Sequence, residues 1–215
     1  MKRKKISLTV ILSVIVTLAV TSISFYSGDH KARAELTIDS GLLKNGDIIF
    51  RKGRGFVTEM VLLADGQSPY SHTGIISINE NSVRVIHAVP DESENGIDYI
   101  KNESLSNFLN HAKTESAIVY RLKQDSTEAA IKAAKSGEEY YNRRLLFDSA
   151  LDLETDDKLY CTELVWKAFR SAGIDLIDGR FNHLNTPIHN GIYIFPSSLL
   201  GSKYLTQITS TKQEE

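Results

Sequence analysis

The fold is decided by residues 68–89, which read SPYSHTGIISINENSVRVIHAV. Two runs rich in β-branched residues, His72–Ile78 and Val83–Val89, flank the polar stretch Asn79–Ser82. This pattern predicts a β-hairpin. Each strand carries one histidine, and cross-strand neighbours in a hairpin are close enough to interact. The hairpin can therefore bring His87 beside His72.

The sequence on both sides of the hairpin predicts an α+β domain. Further strands are expected at Asp47–Arg51, Ile97–Ile100 and Ala117–Leu122, and helices through Phe56, Met60 and Leu63 and at Ser104–His111, Ser126–Tyr141 and Leu159–Ala172. The last of these helices has an apolar stripe that Gly173 ends. Strands in runs with helices at both ends, rather than strict alternation, favour the α+β class.

Composition and charge exclude several classes of protein. The chain has 215 residues, 41% of them hydrophobic, and a net charge of -2, which is ordinary for a globular domain and unlike a disordered, collagen-like or multi-span membrane protein. After Ala34 the chain contains 19 of the 25 basic and 26 of the 27 acidic residues, a net charge of -7. An acidic body without a basic stripe argues against non-specific nucleic-acid binding, which depends on neutralising phosphates.

The N-terminus predicts export. Lys2–Lys5 is a basic cluster, and Ile6–Tyr26 follows it without a single charge. About 20 apolar residues span a bilayer core, so residues 1–34 are predicted to be a signal peptide or signal anchor plus spacer. Ala32–Ala34 is compatible with a cleavage site. We expect one domain at residues 35–210, a polar tail at 211–215, and a periplasmic or cell-surface location, anchored by one transmembrane helix if the segment is uncleaved.

Cys161 is the chain's one cysteine, so neither an intrachain disulfide nor a multi-cysteine metal cluster can form. It is predicted to lie in the first turn of a helix, where the helix dipole and unpaired backbone N–H groups favour a thiolate. We therefore expect the pKa of this thiol to lie below its ordinary value. The same N–H groups can bind a developing oxyanion. A small buried hydrophobic residue is the alternative interpretation.

Two histidines complete a candidate site. His72 opens its predicted strand, which holds the ring rigidly while one nitrogen faces a packed helix. His87 can form a hydrogen bond with that ring and fix its tautomer. Each residue alone is compatible with a structural role, but together with Cys161 they form the set that nucleophilic thiol catalysis requires.

Four motifs, taken in order, resemble the permuted branch of the NlpC-type, papain-like cysteine amidases and peptidases, specifically the YiiX/YaeF-like group. They are Leu43–Arg51, Ser68–Ile76, Val85–Ala88 and Leu159–Val165. The resemblance covers about Leu43 to Leu200. It implies a circularly permuted papain-like fold, in which an antiparallel sheet packs against helices and the histidine strand precedes the cysteine helix.

The resemblance also implies roles for individual residues. Cys161 would be the nucleophile, His72 the base and His87 the orienting third member. Near relatives often carry Glu in place of His87, whereas the wider clan commonly uses His, so a carboxylate at this position is expected to function. Tyr70 and Tyr160 are candidates for lining the acyl pocket or supporting the oxyanion. No cofactor or metal is expected.

Several functions remain open on these grounds. The leading expectation is an extracytoplasmic thiol amidase or peptidase acting on an amide, such as a peptidoglycan stem peptide. An acyltransferase or lipid deacylase would use the same Cys161 and His72, with an acylated lipid as substrate or acceptor. A third possibility is a non-enzymatic anchored binding module. The fourth is a metal site formed by Cys161, His72 and His87, which are chemically reasonable ligands.

Overall fold

A computed structural model describes residues 36–80, 82–90, 96–123, 126–185 and 190–213. The predicted signal or anchor at residues 1–34 lies outside these ranges, so it stays a prediction. Within them, no helix is both long enough and apolar enough to cross a bilayer.

The elements follow one another in an α+β order. The helices are α1 Phe56–Asp65, α2 Leu105–Phe108, α3 Thr127–Asn142, α4 Cys161–Ser171 and α5 Pro196–Leu200. The strands are β1 Leu36–Thr37, β2 Ile48–Gly53, β3 His72–Asn79, β4 Ser82–His87, β5 Lys101–Ser104, β6 Thr114–Leu122, β7 Leu146–Phe147, β8 Lys158–Leu159, β9 Asn182–Asn185, β10 Asn190–Tyr193, β11 Leu205–Ser210 and β12 Lys212–Gln213.

Six of the strands form the central sheet, in the order β11-β6-β2-β3-β4-β5. All neighbours in it are antiparallel. Three two-stranded pairs accompany it: β1 with β12, β9 with β10, and the parallel pair β7 with β8. The α+β class and the antiparallel sheet packed against helices are therefore confirmed. The predicted hairpin is β3 and β4, paired from Ile75 with Ile86 to Asn79 with Ser82.

The prediction from the sequence is wrong for the elements that follow the hairpin. Ile97–Ile100 is not a strand but a loop with one isolated bridge from Tyr99 to Leu146, and the strand β5 follows it. The predicted helix at Ser104–His111 is only the four residues of α2. The Ser104 hydroxyl accepts the Asn107 N–H at 3.1 Å, which makes Ser104 the N-cap. The residues before the cap are thus free to pair with β4.

Each face of the central sheet packs into its own hydrophobic core. On one face Ile48, Phe50, Ile75 and Ile86 pack with residues of α3 and α4. On the other face Ile49, Ile76 and Val85 pack with Phe108 of α2. Because side chains alternate along a strand, Arg51, His72 and His87 lie on this second face.

Residues 211–213 are part of the domain. Lys212 and Gln213 pair with Thr37 and Leu36, and the Thr211 N–H donates to the Ala117 carbonyl at 2.9 Å. The last strand therefore extends into the segment predicted as a polar tail.

Candidate active site

Cys161 is the first residue of α4, as the sequence indicates. The Glu163 carboxylate accepts the Tyr160 backbone N–H at 3.2 Å, the back half of a capping box. Lys167, one turn further along, forms an ion pair with Glu163 at 2.9 Å. These contacts make Tyr160 the N-cap and fix the position of the thiol at the N-terminal end of the helix.

Backbone N–H groups lie near the thiol. Those of Thr73, Thr162 and Cys161 itself act to lower the pKa of the thiol. Thr73 directly follows His72 in β3, so the sulfur lies against the start of the strand that carries the first histidine. The helix and the sheet therefore meet at this point.

A row of polar side chains crosses four neighbouring strands on the α2 face of the sheet. Arg51 of β2 is paired with His72 of β3 in the strand register. Nε2 of His72 lies 2.8 Å from Nδ1 of His87 in β4, and Nε2 of His87 lies 2.8 Å from Oε1 of Glu103 in β5. The two histidines are thus joined directly, and Glu103 extends the row.

Glu103 was not singled out by the sequence. It falls beyond the strand that was expected at Ile97–Ile100, so the sequence offered no register that would place it near His87. In the structure Val85 pairs with Glu103 and His87 with Lys101. Glu103 is therefore the diagonal neighbour of His87, within reach of a long side chain.

Phe108 packs against three members of the row. Its ring stacks on His72, with centroids 5.8 Å apart, and meets the His87 ring edge-on at 5.2 Å. The Arg51 guanidinium lies 4.5 Å from the Phe108 centroid, and its Nη1 donates to the Phe108 carbonyl at 3.0 Å. A single buried ring on α2 thus limits the movement of both imidazoles.

Gly74 makes room for His87. A Cβ at this position would come within 2.8 Å of Val85 Cγ1, 2.9 Å of the Ile86 carbonyl oxygen and 3.0 Å of His87 Cβ. Any side chain would push β4 away from β3. The close approach of the two strands, and with it the contact between His72 and His87, therefore requires glycine at this position.

The electrostatics of the thiol and the first imidazole differ from the sequence expectation. Burial raises the pKa of Cys161 to about 11, although the three N–H donors and the charge of Arg51 act to lower it. Burial also holds the pKa of His72 well below its ordinary value, and Arg51, His87 and Lys101 lower it further. Burial therefore acts against the expected low pKa of the thiol. Both shifts favour the uncharged thiol and the uncharged imidazole.

Cys161 and His72 open onto one cavity of about 550 Å³. Most of its lining is apolar, with Phe56, Val57, Val61, Val89, Phe147, Leu151 and Phe195 among the lining residues. Tyr160 also lines it, and its hydroxyl oxygen accepts the Ile194 N–H at 3.0 Å. Tyr70 is not among the lining residues; it packs against the core beside Phe50, with ring centroids 6.5 Å apart.

Comparison with known protein families identifies the family of the chain. The model of the permuted papain-like amidase enzymes, YaeF/YiiX, C92 family, matches residues 42–209. The chain belongs to this family. Membership confirms the resemblance seen in the four sequence motifs, and it supports a function of the cysteine amidase or peptidase type.

Two relatives from Escherichia coli show how far the similarity extends. The uncharacterized protein YiiX of strain K12 is 28% identical over 130 residues, which are 60% of this chain and 58% of YiiX. The match thus spans little more than half of that relative. The crystal structure of metalloprotein yiiX from strain O157:H7 has a TM-score of 0.63 at 24% identity, over 80% of this chain and 97% of that one. At this identity the likeness concerns the fold.

Proposed function

We propose that this protein is an extracytoplasmic cysteine amidase or peptidase that hydrolyses an amide bond through an acyl-enzyme. The observation that carries the proposal is the shared cavity, in which the Cys161 sulfur lies against the strand that begins at His72. Cys161 is the nucleophile, His72 the general base and acid, and His87 the residue that orients His72.

The uncharged resting pair suits a general-base mechanism. The Cys161 sulfur attacks the amide carbonyl while its proton moves to His72, so a C–S bond forms as the carbonyl becomes a tetrahedral oxyanion. His72 then gives the proton to the leaving nitrogen, and the C–N bond breaks. In the second half, His72 takes a proton from water, which attacks the thioester. The C–S bond then breaks, His72 returns its proton to the sulfur, and the thiol is regenerated as the carboxylic acid leaves.

The beginning of α4 supports this chemistry. Its first backbone N–H groups, those of Cys161 and Thr162, lie near the sulfur, where negative charge develops. Arg51 adds a fixed positive charge on the same cavity wall. Both features favour an anionic transition state over the neutral resting pair.

The substrate class follows from the relation of the family to amidases and from the predicted exported location. A cell-wall peptide is the first candidate. The apolar lining favours an acylated lipid as the second, with either hydrolysis or acyl transfer as the outcome. The wall formed by α1 continues to the protein surface, where Phe56 and Leu63 are each 78% exposed.

A metal centre on these residues is a poorer fit, although the solved relative is described as a metalloprotein. A zinc ligand directs a nitrogen lone pair at the ion from about 2.0–2.1 Å. Here two of the four imidazole nitrogens face each other across a hydrogen bond and a third faces Glu103. No group of three potential ligands is found among the residues that the structure describes. The proposed mechanism therefore contains no metal step.

The test is incubation of the protein with purified peptidoglycan and, separately, with acylated lipids, followed by mass spectrometry of the products. Cleaved amide bonds that require Cys161 would support the proposal, and an acyl group moved to an amine or lipid would favour transfer. Absence of products in both incubations, with the wild-type thiol intact, would favour a binding module on the same fold.

A further inference from the structure

The polar row of the sheet contains one member for which the proposed mechanism has no role. Glu103 lies at the end of the row, and its side chain is 15% exposed, whereas that of His87 is fully buried. Its Oε1 is 2.8 Å from Nε2 of His87. Val85 and Glu103 are paired in the strand register, so the position is defined by the ladder and not by a flexible loop.

The contacts of the row determine where its protons lie. A carboxylate can only accept, so Nε2 of His87 must carry a proton and donate it to Glu103. In a neutral ring Nδ1 of His87 is then the acceptor. Nε2 of His72, 2.8 Å away, must therefore be the donor, which leaves Nδ1 of His72 without a proton.

We propose that Glu103 is a positioning residue that sets the tautomers of both imidazoles, so that His72 keeps Nδ1 as its basic atom for Cys161. This role rests on the proposed function of His72 as the base. Without an acceptor at the end of the row, His87 is free to carry its proton on Nδ1. The hydrogen bond between the two rings would then reverse, and His72 would carry its proton on Nδ1, the nitrogen that does not face His87.

The groups around the row fit this assignment. Arg51 and Lys101, the charged neighbours of His72 and His87 in the strand register, are both cations, and both lower the pKa of the His72 imidazole. The acceptor at the end of the row then sets the direction of the hydrogen bond between the two rings. The Phe108 ring limits the movement of the imidazoles, but it has no acceptor atom and so cannot select one tautomer.

The position of Glu103 changes the activity expected of a variant with a carboxylate at position 87. The family resemblance alone suggests that His87→Glu functions. In this structure the new carboxylate would lie next to Glu103, and two carboxylates in contact cannot both be ionised. We therefore expect His87→Glu to lower kcat by roughly 10- to 100-fold. The double variant His87→Glu/Glu103→Gln should regain most of that loss, because the Gln amide N–H can donate to the new carboxylate.

The direct test is NMR of the full chain with ¹⁵N-labelled histidine, which reports the protonated nitrogen of His72 without any need for turnover. We expect a proton on Nε2 in the wild type and in Glu103→Gln, whose amide oxygen can still accept. In Glu103→Met the proton should redistribute toward Nδ1, with kcat lowered by roughly 10- to 100-fold. Glu115→Met is the matched control, since this glutamate lies on β6 in an exposed pair with Lys52.

The outcomes separate the two proposals. An unchanged His72 tautomer in a folded Glu103→Met variant would overturn the role of Glu103, whatever the protein hydrolyses. If Glu103→Met does not fold, the decision passes to His87→Glu, and full activity of that single variant would overturn the role. The proposed function fails separately, if Cys161→Ser leaves turnover unchanged while the tautomer remains as assigned.

Discussion

The two faces of the central sheet contribute different halves of the candidate site. The face covered by α3 and α4 is apolar and brings the thiol, because α4 begins with Cys161 where the helix packs on β3. The face covered by α2 carries the polar row of Arg51, His72, His87 and Glu103. On the first face the start of a helix positions the reactive atom. On the second face the polar side chains contact one another.

This difference shows which parts of the site tolerate change. The thiol depends on the start of a helix, which a capping glutamate and an ion pair define locally. The imidazoles depend on register across three strands, on the space beside Gly74 and on one aromatic ring. Substitutions in the second half should therefore reduce activity even when they do not touch the substrate.

The largest effect is expected where the two halves meet. Cys161→Ser and His72→Ala should each lower kcat/KM on the order of 10⁴- to 10⁶-fold, because each removes one half of a single chemical unit. The double variant should be little worse than either single variant. Steady-state kinetics, with formation of the product that mass spectrometry identifies as the readout, measure kcat/KM in each variant. Losses that multiply in the double variant would mean that the two residues act independently.

The next effect concerns the space between β3 and β4. Gly74→Ala should lower kcat by roughly 10²-fold, because the added methyl group displaces β4 and misplaces His87. Gly137→Ala in α3 is the matched control: its Cβ would be 3.5 Å from Ile86 Cδ1, an ordinary contact, so activity should stay unchanged. Equal activity of the two variants would show that the contact between the histidines does not need this glycine.

A smaller effect on kcat should distinguish the hydrophobic core on one face of the sheet from the core on the other face. Phe108 and Phe169 are both fully buried, one on each face of the sheet. Truncation to Leu should lower the free energy of unfolding by about 1 to 3 kcal/mol in each case. Only Phe108→Leu should also lower kcat, by roughly 10-fold, because only Phe108 touches the imidazoles. Similar kcat values in two folded variants would remove Phe108 from the support of the site.

The thiol half of the site was predictable from the sequence, and part of the imidazole half was not. The apolar stripe after Cys161 and the turn between two β-branched runs are local signals, so both the α4 start and the β3–β4 hairpin were predicted. Glu103 and Phe108 act across the sheet. Their neighbours depend on the register of β5 and on the Ser104 cap that ends the strand, and neither has a periodic signal in the sequence.

The charge state of the thiol also could not be predicted from the sequence. A helix N-terminus lowers the pKa of a cysteine, and the sequence shows that position plainly. It does not show how far the thiol and the neighbouring imidazole are removed from water, and burial is the larger effect at both groups. Burial therefore acts against the low thiol pKa that the helix position predicts.

The central claim is that Cys161 and His72 form one unit with an uncharged resting state, and the rate of alkylation of Cys161 by iodoacetamide tests it most directly. The single cysteine makes the product unambiguous by mass spectrometry. At pH 7 the wild type should react faster than His72→Ala, on the order of 10²-fold, because the imidazole accepts the thiol proton. Both rates should be low at pH 6 and rise toward pH 10, since burial raises the pKa of the thiol to about 11. A rate that does not depend on His72, or one already at its maximum at pH 6, would contradict the account.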